Sequence, residues 1–368
     1  MKERELLSDI YTICANKNFS FILYSLPNES SCTLMIQSSK PHQTINPPEI
    51  TDKKQFWLSP FLFPEEKMFV FEPEFEIYTN KLNTEFVEKI RNLSPLNVDK
   101  INAEVNINFA DKKTYSEKVN NAKKLLANGG LDKVVLSRTN KFPFPKELNP
   151  VAFFNKFRDT YNEAFCYLLN TPETGTWCGA SPEVLCKTEN KEFSSMSLAG
   201  TLPFNSLTGW SKKEIEEQKF VTDYILKNIL EHGFKDVLVS KTYDHVYGEI
   251  KHLRTDFTIK EFDTKKQLIS ILKALHPTPA VCGVPKEKAK AFIKKSEEYD
   301  RKFYTGFLGP VFPNGNCYIF VNLRCAAIKN GFIYPFAGGG LTKESDASAE
   351  WEETEWKMKT LLRFLGYN

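Results

Sequence analysis

The chain has 368 residues, 41% apolar and 26% charged, with a formal net charge of +3. That length allows one large domain or two ordinary ones, and the composition is that of a globular protein. Near-balanced charge gives no reason to invoke nucleic acid or an anionic membrane, and no run reaches the ~18 apolar residues that would cross a bilayer.

The start, Met1-Lys-Glu-Arg-Glu-Leu-Leu-Ser-Asp, is charged and lacks the apolar stretch of a secretory signal. Cys14, Cys32, Cys166, Cys178, Cys186, Cys282, Cys317 and Cys325 are scattered without a CxxC pair, mostly in apolar runs. They are expected to be reduced core thiols of a cytoplasmic protein. Residues 1–113 hold short β-type runs, Phe19 to Leu26, Cys32 to Gln37 and Phe69 to Ile77. Polar loops separate them, the clearest being Lys40-Pro-His-Gln-Thr-Ile-Asn-Pro-Pro-Glu49. From residue 114 the pattern tightens. Ser116 to Asn128 predicts a helix stopped by Gly129-Gly130, Lys133 to Arg138 a strand, and Pro150 to Thr160 a helix. Short strands follow at Phe165 to Leu169, Thr176 to Gly179, Val184 to Lys187 and Phe193 to Ser197. Ser211 to Glu231 predicts a long helix with Ser211 as its cap. Helices at Lys265 to Leu275 and Glu287 to Glu298 precede strands at Phe303 to Phe312, Cys317 to Ile328 and Phe332 to Phe336. A last helix runs from Ala347 to Phe364. Adjacent strands joined by short turns outnumber βαβ units, so the expectation is an α+β fold of large, mostly antiparallel sheets flanked by helices.

Several polar residues stand out against this background. Glu350 and Glu353 lie three apart with Lys357 four beyond, so all three share a helix face. Gly338, Gly339 and Gly340 precede them in what reads as a turn, where bare amides can approach an anion. Glu214 and Glu217 repeat the three-residue spacing on the long helix, and two converging carboxylate pairs would suit Mg2+. Lys133 opens the apolar run Val134-Val135-Leu136, where lost hydration would free its amine to act as a base. Glu183 follows Gly179-Ala-Ser-Pro182 at the mouth of a strand, where partial burial would keep it protonated as an acid. Arg324 interrupts an apolar strand and calls for an anion, to which Tyr304 could add its hydroxyl. Gly200 and Thr201 form a small-residue corner. Each feature also has an ordinary reading: a solvated helix face, a lysine at a strand edge, a turn carboxylate, a tight turn or a buried salt bridge. His252 and His276 alone read as structural histidines, and no spacing supports zinc.

It is the joint order of motifs that is specific. Lys133-Val-Val-Leu-Ser-Arg, Gly179-Ala-Ser-Pro-Glu-Val-Leu, Ser197-Leu-Ala-Gly-Thr, Leu275-His-Pro-Thr-Pro-Ala-Val-Cys-Gly, Tyr304-Thr-Gly-Phe-Leu-Gly and the final Glu350-Trp-Glu-Glu together resemble the chorismate-utilising enzymes. That family includes isochorismate synthase, salicylate synthase, anthranilate synthase component I and aminodeoxychorismate synthase. The resemblance covers about residues 115 to 365. It implies that residues 1–113 are a variable part of the same fold and that 114–368 is the chorismate-binding catalytic region of one compact domain. The Asp-Leu-Gly-Arg-Asn-Asp run of the aminating branches is replaced here by Phe220-Val-Thr-Asp-Tyr-Ile-Leu, and Lys133 matches the lysine of the branches that add water.

The implied activity is isochorismate synthase, with salicylate synthase or a catalytically inactive chorismate-binding subunit as alternatives. Menaquinone and siderophore biosynthesis both stay open. In that likeness Lys133 is the base and Glu183 the acid. Glu217 and Glu350 hold Mg2+, with Glu214 and Glu353 as direct or water-mediated partners. Arg324 and Tyr304 bind the enolpyruvyl carboxylate. Gly200, Thr201, Thr278, Gly338 and Gly340 line the pocket, and His252 and Lys357 approach the ring and the metal carboxylates. The implied partner is a small molecule, bound by a monomer or weak homo-oligomer without nucleic acid or membrane. One departure is Gln218, where the family has histidine after the metal glutamate; it is expected to stand outside the metal's immediate contacts.

Overall fold

The computed structural model describes residues 2–46, 49–97, 109–247 and 250–367. Helix α1 (Lys2–Lys17) leads into β1 (Ser20–Ser25), β2 (Thr33–Gln37), β3 (His42–Thr44), β4 (Gln55–Ser59), β5 (Met68–Phe71) and β6 (Phe75–Tyr78), then α2 (Thr84–Arg91). Next come α3 (Lys112–Ala127), β7 (Lys133–Thr139), β8 (Phe142–Pro143) and α4 (Pro150–Thr160). Four strands follow, β9 (Phe165–Thr171), β10 (Gly175–Ser181), β11 (Val184–Glu189) and β12 (Glu192–Pro203), before α5 (Lys212–Glu231). Then come β13 (Val237–Val239), β14 (Tyr243–Tyr247), β15 (Ile250–Ile259), α6 (Thr264–Leu275), β16 (Gly283–Val284) and α7 (Lys286–Glu297). The last elements are β17 (Phe307–Val311), β18 (Cys317–Val321), β19 (Cys325–Lys329), β20 (Phe332–Leu341) and α8 (Ala347–Leu362). The proline pair of the 40–49 loop, Pro47 and Pro48, lies outside the described residues.

These strands form two ten-stranded sheets. One runs β16-β7-β20-β19-β10-β9-β1-β2-β6, with β8 on β20. The other runs β13-β15-β12-β11-β18-β17-β4-β5-β3, with β14 on β15. The described pairings are antiparallel, as expected of the α+β class. The period of two explains why β1 reads as an unbroken apolar run. Phe21 and Leu23 face α1 and α4, whereas Ile22 and Tyr24 enter a seam between the sheets. Phe56, Phe165, Tyr167, Trp177, Phe303, Phe320 and Phe336 fill that seam, and Phe165 stacks on Phe320 at 4.3 Å. Helices α5 and α6 cover the outer face of the second sheet. Residues before 114 are woven into both sheets, because β1 pairs with β9 and β4 with β17.

Three expectations change. The run Cys317 to Ile328 is two strands, β18 in the second sheet and β19 in the first, with Arg324 between them at φ +48°. Phe69 to Ile77 likewise divides between the sheets as β5 and β6. Gly338, Gly339 and Gly340 are not a turn: they lie within β20 opposite Ser137, Leu136 and Val135. Sequence pattern also passes over α1, α2, β4, β8 and β13 to β16, and His42–Thr44, inside the stretch read as the 40–49 loop, is strand β3, paired with β5. All eight cysteines are buried free thiols. Among the described residues no helix is long and apolar enough to cross a membrane.

Candidate active site

Two crossings between the sheets build the site. The chain leaves β10 and enters β11 through Pro182-Glu183, and leaves β18 for β19 through Asn322-Leu323-Arg324. The crossings are tied together: Ala180 N–H donates to Arg324 C=O at 3.1 Å, and Val321 N–H to Glu183 C=O at 3.0 Å. Glu183 and Arg324 are thereby buried at one end of the aromatic seam. Burial pushes the Glu183 carboxyl up to about 8, although Lys133, Arg324 and Lys357 pull it down.

Arg324 points a guanidinium nitrogen at His252 Nε2, 3.3 Å away, and leaves another nitrogen without a hydrogen bond. His252 Nδ1 lies 2.7 Å from Gly200 C=O. A carbonyl only accepts, so Nδ1 carries the proton and Nε2 accepts from Arg324. Burial and the arginine's charge hold His252 neutral, down to about 3. Gly200 takes φ +69°, the pairing of β12 with β15 slips between Ala199 and Leu202, and Thr201 Oγ1 lies 3.4 Å from His252 Nδ1.

Lys133 is fully buried on β7, and its Nζ lies 3.1 Å from Glu217 Oε1 as an ion pair without hydrogen-bond alignment. Burial lowers the ammonium's pKa, and Glu217 opposes the shift. The pair meets where β20 has no side chain. A Cβ on Gly340 would stand 2.0 Å from Glu217 Oε1 and 3.1 Å from Lys133 Cε. On Gly339 it would stand 2.5 Å from Glu350 Oε2, and on Gly338 3.0 Å from the Tyr304 hydroxyl. The glycines therefore make room for carboxylates, while their amides belong to a strand.

On α8, Lys357 donates to Gly338 C=O at 2.8 Å and pairs with Glu353 at 2.5 Å. Against its burial, Lys357 and Lys213 hold the Glu353 carboxyl down to about 2. Glu350 is fully buried. Its Oε1 accepts from Lys213 at 2.7 Å, and its Oε2 has no hydrogen bond. Burial, and then Glu353, push it up to about 7.

Glu183, Gly200, Thr201, Glu217, His252, Tyr304, Arg324, Gly338, Gly340 and Lys357 line one small cavity of about 70 Å3, and Lys133 stands off its wall, 3.1 Å from Glu217. That volume is well below the ~300–1,000 Å3 of ligand clefts, so side chains must move to admit a ring. A cavity of about 730 Å3 opens separately between Phe204, Tyr247 and Trp356 and holds none of these groups.

Two expected residues sit elsewhere. Glu214 accepts from the Ser211 N–H at 2.9 Å in a capping box, which occupies its carboxylate at the start of α5. The Thr278 hydroxyl is buried without a partner off the cavity wall, which Ala280 and Val281 form instead. His276 is structural, its Nε2 bonding Phe61 C=O at 3.1 Å. Gln218 points away from the carboxylates and donates to Ser197 Oγ at 2.8 Å, anchoring α5 to β12. Lys213 belongs to no motif and is missing from the sequence-derived candidates. Its place four residues before Glu217 was the available signal.

Among the described residues no three His, Cys, Asp or Glu side chains form a ready cage for a metal. Mg2+ does not require one, since it commonly takes one or two protein carboxylates and keeps its waters. The buried Glu350 Oε2, which has no hydrogen bond, and the Glu353 carboxylate one turn along α8 are two such oxygens, and they fit a small hard cation that keeps its waters.

A family model described as chorismate binding enzyme matches residues 70–366. The vibriobactin-specific isochorismate synthase of Vibrio cholerae is 29% identical over 68% of this chain and 66% of its own length. Isochorismate synthase EntC of Escherichia coli is 28% identical over 70% of this chain and 68% of its own. The matched stretches thus span about two thirds of these relatives. The solved DhbC structure from Bacillus anthracis superposes with a TM-score of 0.78 at 22% identity, covering 98% of this chain and 100% of that one. Anthranilate synthase component I from Streptococcus pneumoniae gives 0.64 at 19%, over 94% and 92%. The chain belongs to the chorismate-binding enzyme family.

Proposed function

We propose that the protein is an isochorismate synthase, converting chorismate to isochorismate with Mg2+. The observation that carries this reading is the buried pair Lys133 and Glu183, each within the other's field, with Glu183 lining the small cavity and Lys133 against its Glu217. Burial drives the lysine toward its neutral amine and the glutamate toward its neutral acid, the two forms the reaction needs. Lys133 takes a proton from water, whose oxygen bonds to C2 of the ring. The ring double bond shifts and the C4–O bond breaks with its electron pair. Glu183 then protonates the departing hydroxide. One water enters and one leaves, so product and substrate are isomers. Arg324, with Tyr304 beside it, is the cation for the enolpyruvyl carboxylate, and the neutral His252 fixes the direction of its guanidinium. When bound, Mg2+ supplies positive charge against the ring carboxylate, and Glu217, Glu350 and Glu353 would hold it. Sequence relatives named isochorismate synthase support the reading.

The test is incubation of the purified protein with chorismate and Mg2+, followed by chromatography of the products. Isochorismate, formed with Mg2+ and abolished by EDTA, is the expected result. Salicylate and pyruvate formed faster than free isochorismate decays would move the protein to the eliminating branch. Chorismate left unconsumed would overturn the reading.

A further inference from the structure

Lys213 sits in the first turn of α5, with a side chain 19% exposed. Its Nζ is 2.7 Å from Glu350 Oε1, and the charges acting on it most strongly are those of Glu350, Glu353 and Glu217. One ammonium therefore lies among three carboxylates drawn from α5 and α8. The other lysines beside them are Lys357 from α8, against Glu353, and Lys133 from β7, against Glu217 and drawn by burial toward its neutral amine. A divalent ion entering this cluster adds two charges close to the Lys213 ammonium, and in a buried site that repulsion is poorly screened. The repulsion is relieved if Lys213 withdraws, or if the dianionic substrate arrives with the metal. The position of Lys213 at the solvent end of the helix leaves its flexible stem a way out.

We propose that Lys213 is an internal counter-ion that occupies the cation position of the free protein and gives it up when metal and substrate arrive together. This rests on the Mg2+ site inferred above. Lys213 is then a positioning residue: it keeps Glu350 and Glu353 in place while the site is empty and makes metal binding depend on the substrate. Glu350 Oε2, which bonds to nothing, is the oxygen that can engage the metal while Oε1 still holds the lysine.

The experiment measures Mn2+ affinity by the electron paramagnetic resonance signal of free Mn2+, with and without chorismate. Without chorismate, Lys213→Gln is expected to bind Mn2+ at least ~10-fold more tightly than wild type, and the charge-retaining Lys213→Arg no more tightly. In wild type, chorismate is expected to tighten Mn2+ by ~10-fold or more, and by clearly less in Lys213→Gln. A structural lysine would give weaker or equal binding on removal, and that result in a folded variant overturns the proposal. Should Lys213→Gln not fold, the wild-type comparison decides: Mn2+ affinity indifferent to chorismate overturns it. If Mn2+ binds wild type and Lys213→Gln equally well, Lys213 is wrongly assigned while the metal site stands. If it binds neither under any condition, the metal site itself is wrong and the proposal falls with it.

Discussion

At the scale of single residues the site runs on desolvation. Lys133 and Glu183 would be ordinary charges at a surface; inside the fold, burial pushes each toward neutrality. Lys133→Ala and Glu183→Gln should each lower turnover by ~100-fold or more while chorismate still binds. Steady-state kinetics beside a binding titration checks this, and near-normal turnover in either variant removes that residue's role. Glu183 also makes a prediction about stability. Its folded pKa, about 8, lies above the 4.5 of the free side chain, so the folded state holds a proton that the unfolded chain releases. That contribution is fully present below about pH 4.5. It is lost as the pH rises through about 8. Wild type should therefore lose a few kcal/mol relative to Glu183→Gln between pH 5 and pH 9. Melting curves of both proteins across that range test it; parallel curves would mean that the carboxyl is not desolvated. Local sequence could flag Lys133, Glu183 and Arg324 as charges in apolar company. It could not show that Glu183 and Arg324 line one cavity while Lys133 reaches it through Glu217.

At the scale of elements, the helices were the most legible parts. Asn149-Pro150 and Ser211-x-x-Glu214 carry their start signals in a few adjacent residues, and α4 and α5 begin there. The same local logic assigned Glu214 to a metal by its spacing from Glu217, whereas the capping box takes its carboxylate. The glycine run of β20 misled in the opposite way. Three glycines in a row read as a turn, yet a strand tolerates them when carboxylates from α5 and α8 occupy the vacated space. Gly340→Ala should therefore leave β20 intact but drive the Glu217 carboxylate away from Lys133, since the clashing atom ends a flexible side chain. We expect a ~10-fold or greater fall in kcat/KM with a melting temperature close to wild type, read by kinetics and calorimetry. A large loss of stability with normal activity in the surviving fold would contradict this account of the glycines.

The whole molecule is two sheets that share strands from both ends of the chain. Gly306 lies where the segment before β17 passes the end of β4, and a Cβ there would stand 1.9 Å from Ser59 C=O. Backbone on both sides cannot yield as a side-chain tip can. Gly306→Ala should cost about 3 kcal/mol or more by forcing residues before 114 away from the later strands. Denaturant unfolding measures it, and a loss below about 1 kcal/mol would mean that the two segments part without strain.

Period-two and period-3.6 patterns, caps and turn residues act over a few positions, so they settled the α+β class and most elements after residue 114 and flagged Lys133, Glu183 and Arg324, though not the equally buried Arg138, Glu297 and Arg301. The ordered motifs then supplied the family. Strand partners are chosen by contacts between distant residues, so only the folded chain decided that β18 and β19 part company at Arg324. The same holds for β1 and β4 joining the two sheets and for Gln218 turning toward β12. Lys213 is the clearest case: four residues from Glu217 it looks like any surface lysine, and it becomes a counter-ion only because α8 brings Glu350 and Glu353 against it.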